Sequence, residues 1–128
     1  ILTDIITDLP DKNCKPKINK EKFKKYFNKN NLQPIFIEQG GDNINDIKFN
    51  NIILSDKTPV FILGNESYGF EREILDYFSD MDGFKIISIP QLGVLRSLNV
   101  SNSASIVLWE FYKQVLKNDD IRYKLDLK

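Results

Sequence analysis

The hydrophobic positions of this chain form short runs that alternate with stretches of helical spacing. Three runs predict buried strands, because each is rich in isoleucine, valine or phenylalanine and is bounded by proline or glycine; they are residues 35–37, 60–63 and 84–89. Three stretches predict helices, at residues 21–28, 70–78 and 99–117. The alternation predicts an α/β fold with a mostly parallel sheet flanked by helices.

The last predicted helix carries apolar side chains at spacings of three and four, which predicts one broad buried face. The members of that face are Val100, Ala104, Val107, Leu108, Phe111 and Val115. Elsewhere the pattern is weaker. Residues 40–43, with two glycines, are expected to end the first strand, and residues 52–54 to form a brief strand or a packed turn. Residues 1–20 have no clean period.

Composition narrows the class of protein. With 128 residues, 41% of them hydrophobic and 28% charged, the chain suits one globular domain, 1–128. It contains no run of ~18 apolar residues, so no membrane partner is expected. The single cysteine, Cys14, excludes an internal disulfide and fits a reducing compartment, the cytoplasm or the nucleus. The absence of histidine removes the commonest general base and zinc ligand, and no metal site is expected.

The net charge of zero conceals a lysine-rich first quarter. Its lysines are Lys12, Lys15, Lys17, Lys20, Lys22, Lys24, Lys25 and Lys29. A solvated helix face accounts for such a cluster more often than contact with RNA phosphates does. Charge alone therefore identifies no partner.

Two segments at strand ends carry the candidate chemistry. Leu63-Gly64-Asn65-Glu66 follows one predicted strand, and the run from Ile89 to Val100 joins the next strand to the last helix. Because the carboxyl ends of parallel strands share one edge of a sheet, the two segments are expected to line a pocket. Purely local roles are equally open to these residues: a tight turn at the first glycine, a helix cap at Ser97 or Asn99, and a surface charge at Arg96.

At this spacing, the two segments resemble the second and third motifs of the SpoU (TrmH-type) RNA ribose methyltransferases of the SPOUT class. The resemblance covers about residues 34–117. In Ile37-Glu38-Gln39 and Leu108-Trp109-Glu110 the chain looks most similar to the eukaryotic tRNA guanosine-18 2′-O-methyltransferases. The resemblance implies a C-terminal deep trefoil knot, which periodicity cannot predict, and a homodimer formed through the knot helices.

The resemblance also implies a site for S-adenosyl-L-methionine and a tRNA substrate. By motif position, the cofactor-binding residues would be Glu38, Leu63, Gly64, Asn65, Ile89 and Leu98. Glu66, Ser97 and Asn99 match catalytic positions, and Arg96 would contact the RNA. The implied reaction is methyl transfer to a ribose 2′-hydroxyl, at guanosine 18 of the tRNA D-loop. A rival hypothesis is a non-catalytic knotted module that binds RNA or dimerises and keeps the cofactor pocket.

One feature of the family is not found. The first motif of the family pairs an asparagine with a following arginine, and residues 1–33 contain no convincing copy of that pair. Too little chain precedes Ile35 for the opening strands of the family. Two interpretations stay open: the chain is the carboxyl-terminal part of a longer protein and lacks its first strands, or it is a degenerate domain that has lost catalysis.

Overall fold

The structure, a computed structural model, describes residues 6–8, 17–64, 70, 72–91 and 99–116. In chain order its elements are strand β1 (Ile6–Asp8), strand β2 (Lys17–Ile18), helix α1 (Lys20–Lys29), strand β3 (Leu32–Asn43), helix α2 (Phe49–Ile52), strand β4 (Thr58–Leu63), helix α3 (Arg72–Phe78), strand β5 (Lys85–Ser88) and helix α4 (Val100–Phe111). A 3-10 turn (Ile44–Asp46) follows β3, and a π-helix (Tyr112–Leu116) continues α4. The three predicted strands and three predicted helices are confirmed, with shifted ends.

Three strands form a parallel sheet in the order β4-β3-β5, as the alternation of elements predicts. In this sheet Ile37 of the central strand lies opposite Leu63 of β4 and opposite Ile87 of β5. The connection through α3 therefore takes the chain from one edge strand to the other, past β3. Strands β1 and β2 pair separately as a short antiparallel ribbon, which the sequence pattern did not predict.

The side chains of β3 alternate between the two faces of the sheet, and each face has its own core. Ile35 belongs to the core on the side of α2 and α4, whose other buried members are Ile44, Ile47, Phe49, Ile87, Ile89 and Val107. Phe36 belongs to the core on the side of α1 and α3, whose other buried members are Phe23, Phe27, Phe78 and Met81. Helices thus cover both faces, as the apolar strands of a parallel sheet require.

The lysines of α1 lie on the surface of the second core. Lys20 and Lys24 place their ammonium groups 5.3 and 4.1 Å from the ring centre of Tyr77 in α3. Lys24 also donates a hydrogen bond of 2.8 Å to Asp80, which holds the pKa of that carboxyl below its ordinary value of 3.8. Part of the lysine cluster therefore joins α1 to α3, while its other members in α1 are exposed: Lys22, Lys25 and Lys29.

Two local predictions are wrong, and one open alternative is decided. Strand β3 does not end at Gly40 but continues to Asn43. The strand alternative for residues 52–54 fails, because Ile52 ends helix α2 and Ile53 is its C-cap. Leu108, predicted to be buried, is 55% exposed, since the face of α4 that meets the sheet is narrower than its apolar pattern.

Candidate functional site

At one edge of the sheet β4 and β5 end and the pairing of β3 with β4 stops, although β3 itself continues to Asn43. Ile37 lies level with Leu63, so Glu38 and Gly64 are the next residues beyond this last pair. Ile89 follows β5 at the same edge and is buried. The carboxyl edge of a parallel sheet is where open α/β folds bind ligands. The structure thus brings together four residues that the motifs implicate, although their roles stay predictions.

The central strand bulges at this edge, because Ile37 and Asp42 both lie opposite Ile87 of β5. Within the bulge, Gly40 has a φ of +87°, which glycine adopts without steric cost. A Cβ added to Gly41 would clash with a carbonyl group of β5. The two glycines that were expected to end the strand therefore let it bend and then resume its pairing with β5.

Glu38 stands at the start of the bulge, half-buried, and both of its carboxylate oxygens accept hydrogen bonds from backbone N–H groups. The Oε2 atom accepts from Phe70 at 2.8 Å, and Oε1 accepts from Gln39 at 2.9 Å. The ring of Phe70 also packs edge-on against Phe36, with 5.0 Å between ring centres. Phe70 is thus fixed to the central strand through both its backbone and its side chain.

The bulge is also joined to the end of β5. The Oγ of Ser88 donates a hydrogen bond of 2.9 Å to the carbonyl oxygen of Gly41. The Nε2 of Gln39 donates to the carbonyl oxygen of Ile89 across 3.5 Å, which is long for a hydrogen bond. Residues 38–41 therefore contact Phe70, in the connection after β4, and Ser88 and Ile89 at the end of β5.

Asn99, one of the predicted catalytic residues, is the N-cap of α4. Its side-chain oxygen accepts a hydrogen bond of 2.8 Å from the backbone N–H of Ser101. The capping role that the sequence offered as an alternative for Asn99 is therefore observed.

Five of the predicted site residues lie outside the described part of the chain. They are Asn65, Glu66, Arg96, Ser97 and Leu98. Their roles remain predictions from the motifs, and so does the knot, since residues 92–98 are among those not described.

The described part of the site offers apolar contacts and backbone groups rather than metal ligands. Within residues 6–8, 17–64, 70, 72–91 and 99–116, no cluster of carboxylates and cysteine could hold a metal ion. No helix in these ranges is long and apolar enough to cross a membrane.

Glu110 of α4 is, like Asp80, a carboxyl group with a lowered pKa. Hydrogen bonds from Lys113 and then Gln114 favour its charged form.

The sequence pattern does not predict the two hydrogen-bond donors to Glu38. It indicates Gln39 only as part of the family resemblance, and it places Phe70 only in a helix. The hydrogen bond from Phe70 to Glu38 joins residues 32 positions apart, so no local period could predict it. The adjacent glycines at 40 and 41 were the available signal, because a glycine in a strand pattern also marks a bulge.

The chain belongs to the SpoU rRNA methylase family, whose model matches residues 14–109. A structural relative agrees with the fold. It is a Porphyromonas gingivalis protein described as an RNA methyltransferase of the TrmH family, with a TM-score of 0.53 at 19% identity. The likeness covers 73% of this chain and 34% of that one.

Two curated relatives are named tRNA (cytidine(34)-2′-O)-methyltransferases. The protein from Methylovorus glucosotrophus is 38% identical over 55 residues, which cover 43% of this chain and 34% of the relative. The protein from Saccharophagus degradans is 32% identical over 68 residues, which cover 53% of this chain and 42% of the relative. The matches thus span less than half of either relative. Neither relative carries the guanosine-18 specificity that the motif resemblance suggested.

Proposed function

We propose that this chain is the cofactor-binding part of an S-adenosyl-L-methionine-dependent tRNA ribose 2′-O-methyltransferase. One observation supports the proposal: four of the residues that the family motifs implicate, Glu38, Leu63, Gly64 and Ile89, lie at the carboxyl edge of the sheet. The sequence around them matches the SpoU family model.

The residues at this edge fit the cofactor. Leu63, which is half-buried, offers apolar surface for a flat purine ring, and Ile89 supports this edge from the core. Gly64 leaves its backbone unobstructed by a side chain. Backbone groups beyond the ends of β4 and β5 are suited to bonding the polar edge of such a ring. When bound, the cofactor supplies a methyl group on a sulfonium ion, whose leaving thioether is neutral and needs no acid.

The protein's own task in the reaction is to hold the ribose hydroxyl in line with the methyl group and to assist loss of its proton. We assign this task to Glu66, Ser97 and Asn99, and contact with an RNA phosphate to Arg96. The chain has no histidine, so a carboxylate or an arginine must assist the proton transfer.

The position of the methylated nucleotide has two candidates. The names of the matched relatives favour cytidine 34 of the anticodon loop, while the motif resemblance favours guanosine 18 of the D-loop. We favour cytidine 34, because the two relatives share 32–38% identity with this chain. Digestion of the tRNA after incubation with the enzyme, followed by mass spectrometry, distinguishes the two positions. The fragment that gains the mass of a methyl group contains either nucleotide 34 or nucleotide 18.

Isothermal titration tests the cofactor site directly. The chain is expected to bind S-adenosyl-L-methionine and not ATP. Gly64→Val would place a branched side chain at the strand end and is expected to weaken binding at least about tenfold. Thr58→Val, at the exposed opposite end of β4, is the matched control and should bind as the wild type does. Binding of ATP without S-adenosyl-L-methionine would indicate a different nucleotide site.

We also propose that two copies of the chain associate through α4. Four large hydrophobic side chains on α4 and its π-helical extension are 40–61% exposed: Ile106, Leu108, Trp109 and Tyr112. Trp109 and Tyr112 stack on each other with 5.7 Å between ring centres. An apolar patch of this kind is typical of a protein interface.

A further inference from the structure

We propose that Glu38 is a positioning residue of the cofactor site and that it acts through the backbone N–H of Phe70. The proposal rests on the proposed function. It departs from the motif resemblance, by which Glu38 would contact the cofactor itself. In the structure, each carboxylate oxygen of Glu38 accepts a hydrogen bond from a backbone N–H group.

The contact with Phe70 is a strong one. A carboxylate that accepts from an N–H group forms a charge-assisted hydrogen bond, which is shorter and stronger than a neutral one. The 2.8 Å distance agrees with this, and Glu38 is only half-exposed to competing water. No lysine or arginine among the described residues forms an ion pair with Glu38, so its partners there are backbone groups.

The position of Glu38 gives this hydrogen bond its importance. The chain leaves β4 at Gly64, beside Glu38, because Ile37 and Leu63 are paired. It comes back to Glu38 at Phe70. The Glu38 side chain thus holds Phe70 to the central strand, next to the point where the chain leaves β4.

Holding Phe70 in place has an expected consequence for ligand binding. A residue that is not held in place has more conformations, and a ligand that binds beside it must offset the entropy of ordering it. With Phe70 bound to Glu38, this residue is fixed before the ligand arrives. Cofactor affinity should therefore depend on Glu38 even though its carboxylate does not bind the cofactor.

The packing of Phe70 separates this role from folding. The edge-on contact between the rings of Phe70 and Phe36 lies in the core on the α1–α3 side and does not involve Glu38. A change at Glu38 should therefore release the backbone N–H of Phe70 while the ring stays packed.

Two measurements on the same variants test the proposal: the hydrogen-exchange rate of the Phe70 amide without ligand, and the dissociation constant of S-adenosyl-L-methionine. Glu38→Ala is expected to raise both about tenfold or more. Glu38→Gln keeps one acceptor oxygen and should restore most of both. Glu73→Gln, on the exposed face of α3, removes a carboxylate that holds no backbone group and should change neither.

The outcomes are distinct. If Glu38→Ala leaves the Phe70 amide protected, the hydrogen bond does not hold that residue and the proposal is wrong. If affinity falls while protection is unchanged, Glu38 acts on the cofactor directly, which also overturns it. Faster exchange with unchanged affinity would refute the link to binding. Failure of the wild-type chain to bind S-adenosyl-L-methionine, with ATP as a comparison, would refute the proposed function and with it this role of Glu38.

Discussion

Gln33 is the buried polar side chain at the amino end of the central strand, and it is fully inaccessible to solvent. Its Nε2 donates to the carbonyl oxygens of Ile52 and Gly83, both at 2.8 Å, and its Oε1 accepts from the N–H of Leu54 at 2.9 Å. One side chain thus satisfies three backbone groups in two connections. A buried polar group is tolerated when its hydrogen bonds are complete, and those of Gln33 use both donors and an acceptor.

Replacing Gln33 with methionine should therefore destabilise the fold much more than the loss of one surface amide would. The shape is nearly retained, but three backbone groups lose their partner, and we expect a loss of about 3 kcal/mol in the free energy of unfolding. Urea denaturation measures the change. Asn50→Met, at an exposed position of α2, is the control and should stay within about 0.5 kcal/mol of the wild type. Equal effects of the two substitutions would mean that the hydrogen bonds of Gln33 contribute little.

At the scale of elements, the bulge in β3 depends on two glycines for different reasons. Gly40 has open space around it but a positive φ, whereas Gly41 has no room for a Cβ beside β5. Gly40→Asn should cost little, about 1 kcal/mol or less, because asparagine tolerates a positive φ. Gly41→Ala should cost about 3 kcal/mol and should speed hydrogen exchange in residues 86–88. If urea denaturation shows a larger loss of stability for Gly40→Asn than for Gly41→Ala, then β3 and β5 separate at this point at low cost.

The same bulge shows where prediction from sequence succeeds and where it stops. The strands at residues 60–63 and 84–89 were predictable because apolar runs between proline and glycine have few other structures. The end of β3 was not, because the close approach of Gly41 to β5 involves residues about 45 positions apart, beyond any local pattern. Helix α2 was missed because its span, Phe49–Ile52, is too short for a helical period to be visible.

At the scale of the whole molecule, parallel topology explains how much of the site could be foreseen. Once β3, β4 and β5 are known to be parallel, the residues beyond their matched positions must share an edge, and Glu38, Gly64 and Ile89 do, although β3 itself continues to Asn43. The use of the Glu38 carboxylate could not be foreseen in this way, because the topology brings backbones together and does not say which N–H group a side chain will reach. Motif spacing therefore predicts a site at this edge, and the hydrogen bonds show which backbone groups the Glu38 carboxylate reaches.

The exposed apolar patch on α4 leads to a prediction about assembly. Leu108 was expected in the core and is instead exposed beside Trp109, so the apolar pattern of α4 exceeds what its own sheet can cover. A second copy of the chain could cover this surface, and the aromatic pair Trp109–Tyr112 has the character of an interface hot spot. Trp109→Lys should then raise the dimer dissociation constant at least about thirtyfold, as measured by sedimentation velocity.

A second exposed hydrophobic residue provides the control for that prediction. Leu54 is 37% exposed and lies in the connection between α2 and β4, not on α4. Leu54→Lys adds the same charge and should leave the dissociation constant unchanged if α4 forms the interface. A wild-type chain that sediments as a monomer at high concentration would rule the dimer out. If Leu54→Lys weakens the dimer and Trp109→Lys does not, the interface lies on another face of the molecule. Loss of the dimer in Trp109→Lys alone, with unchanged thermal stability, would support α4 as the surface that joins the two copies.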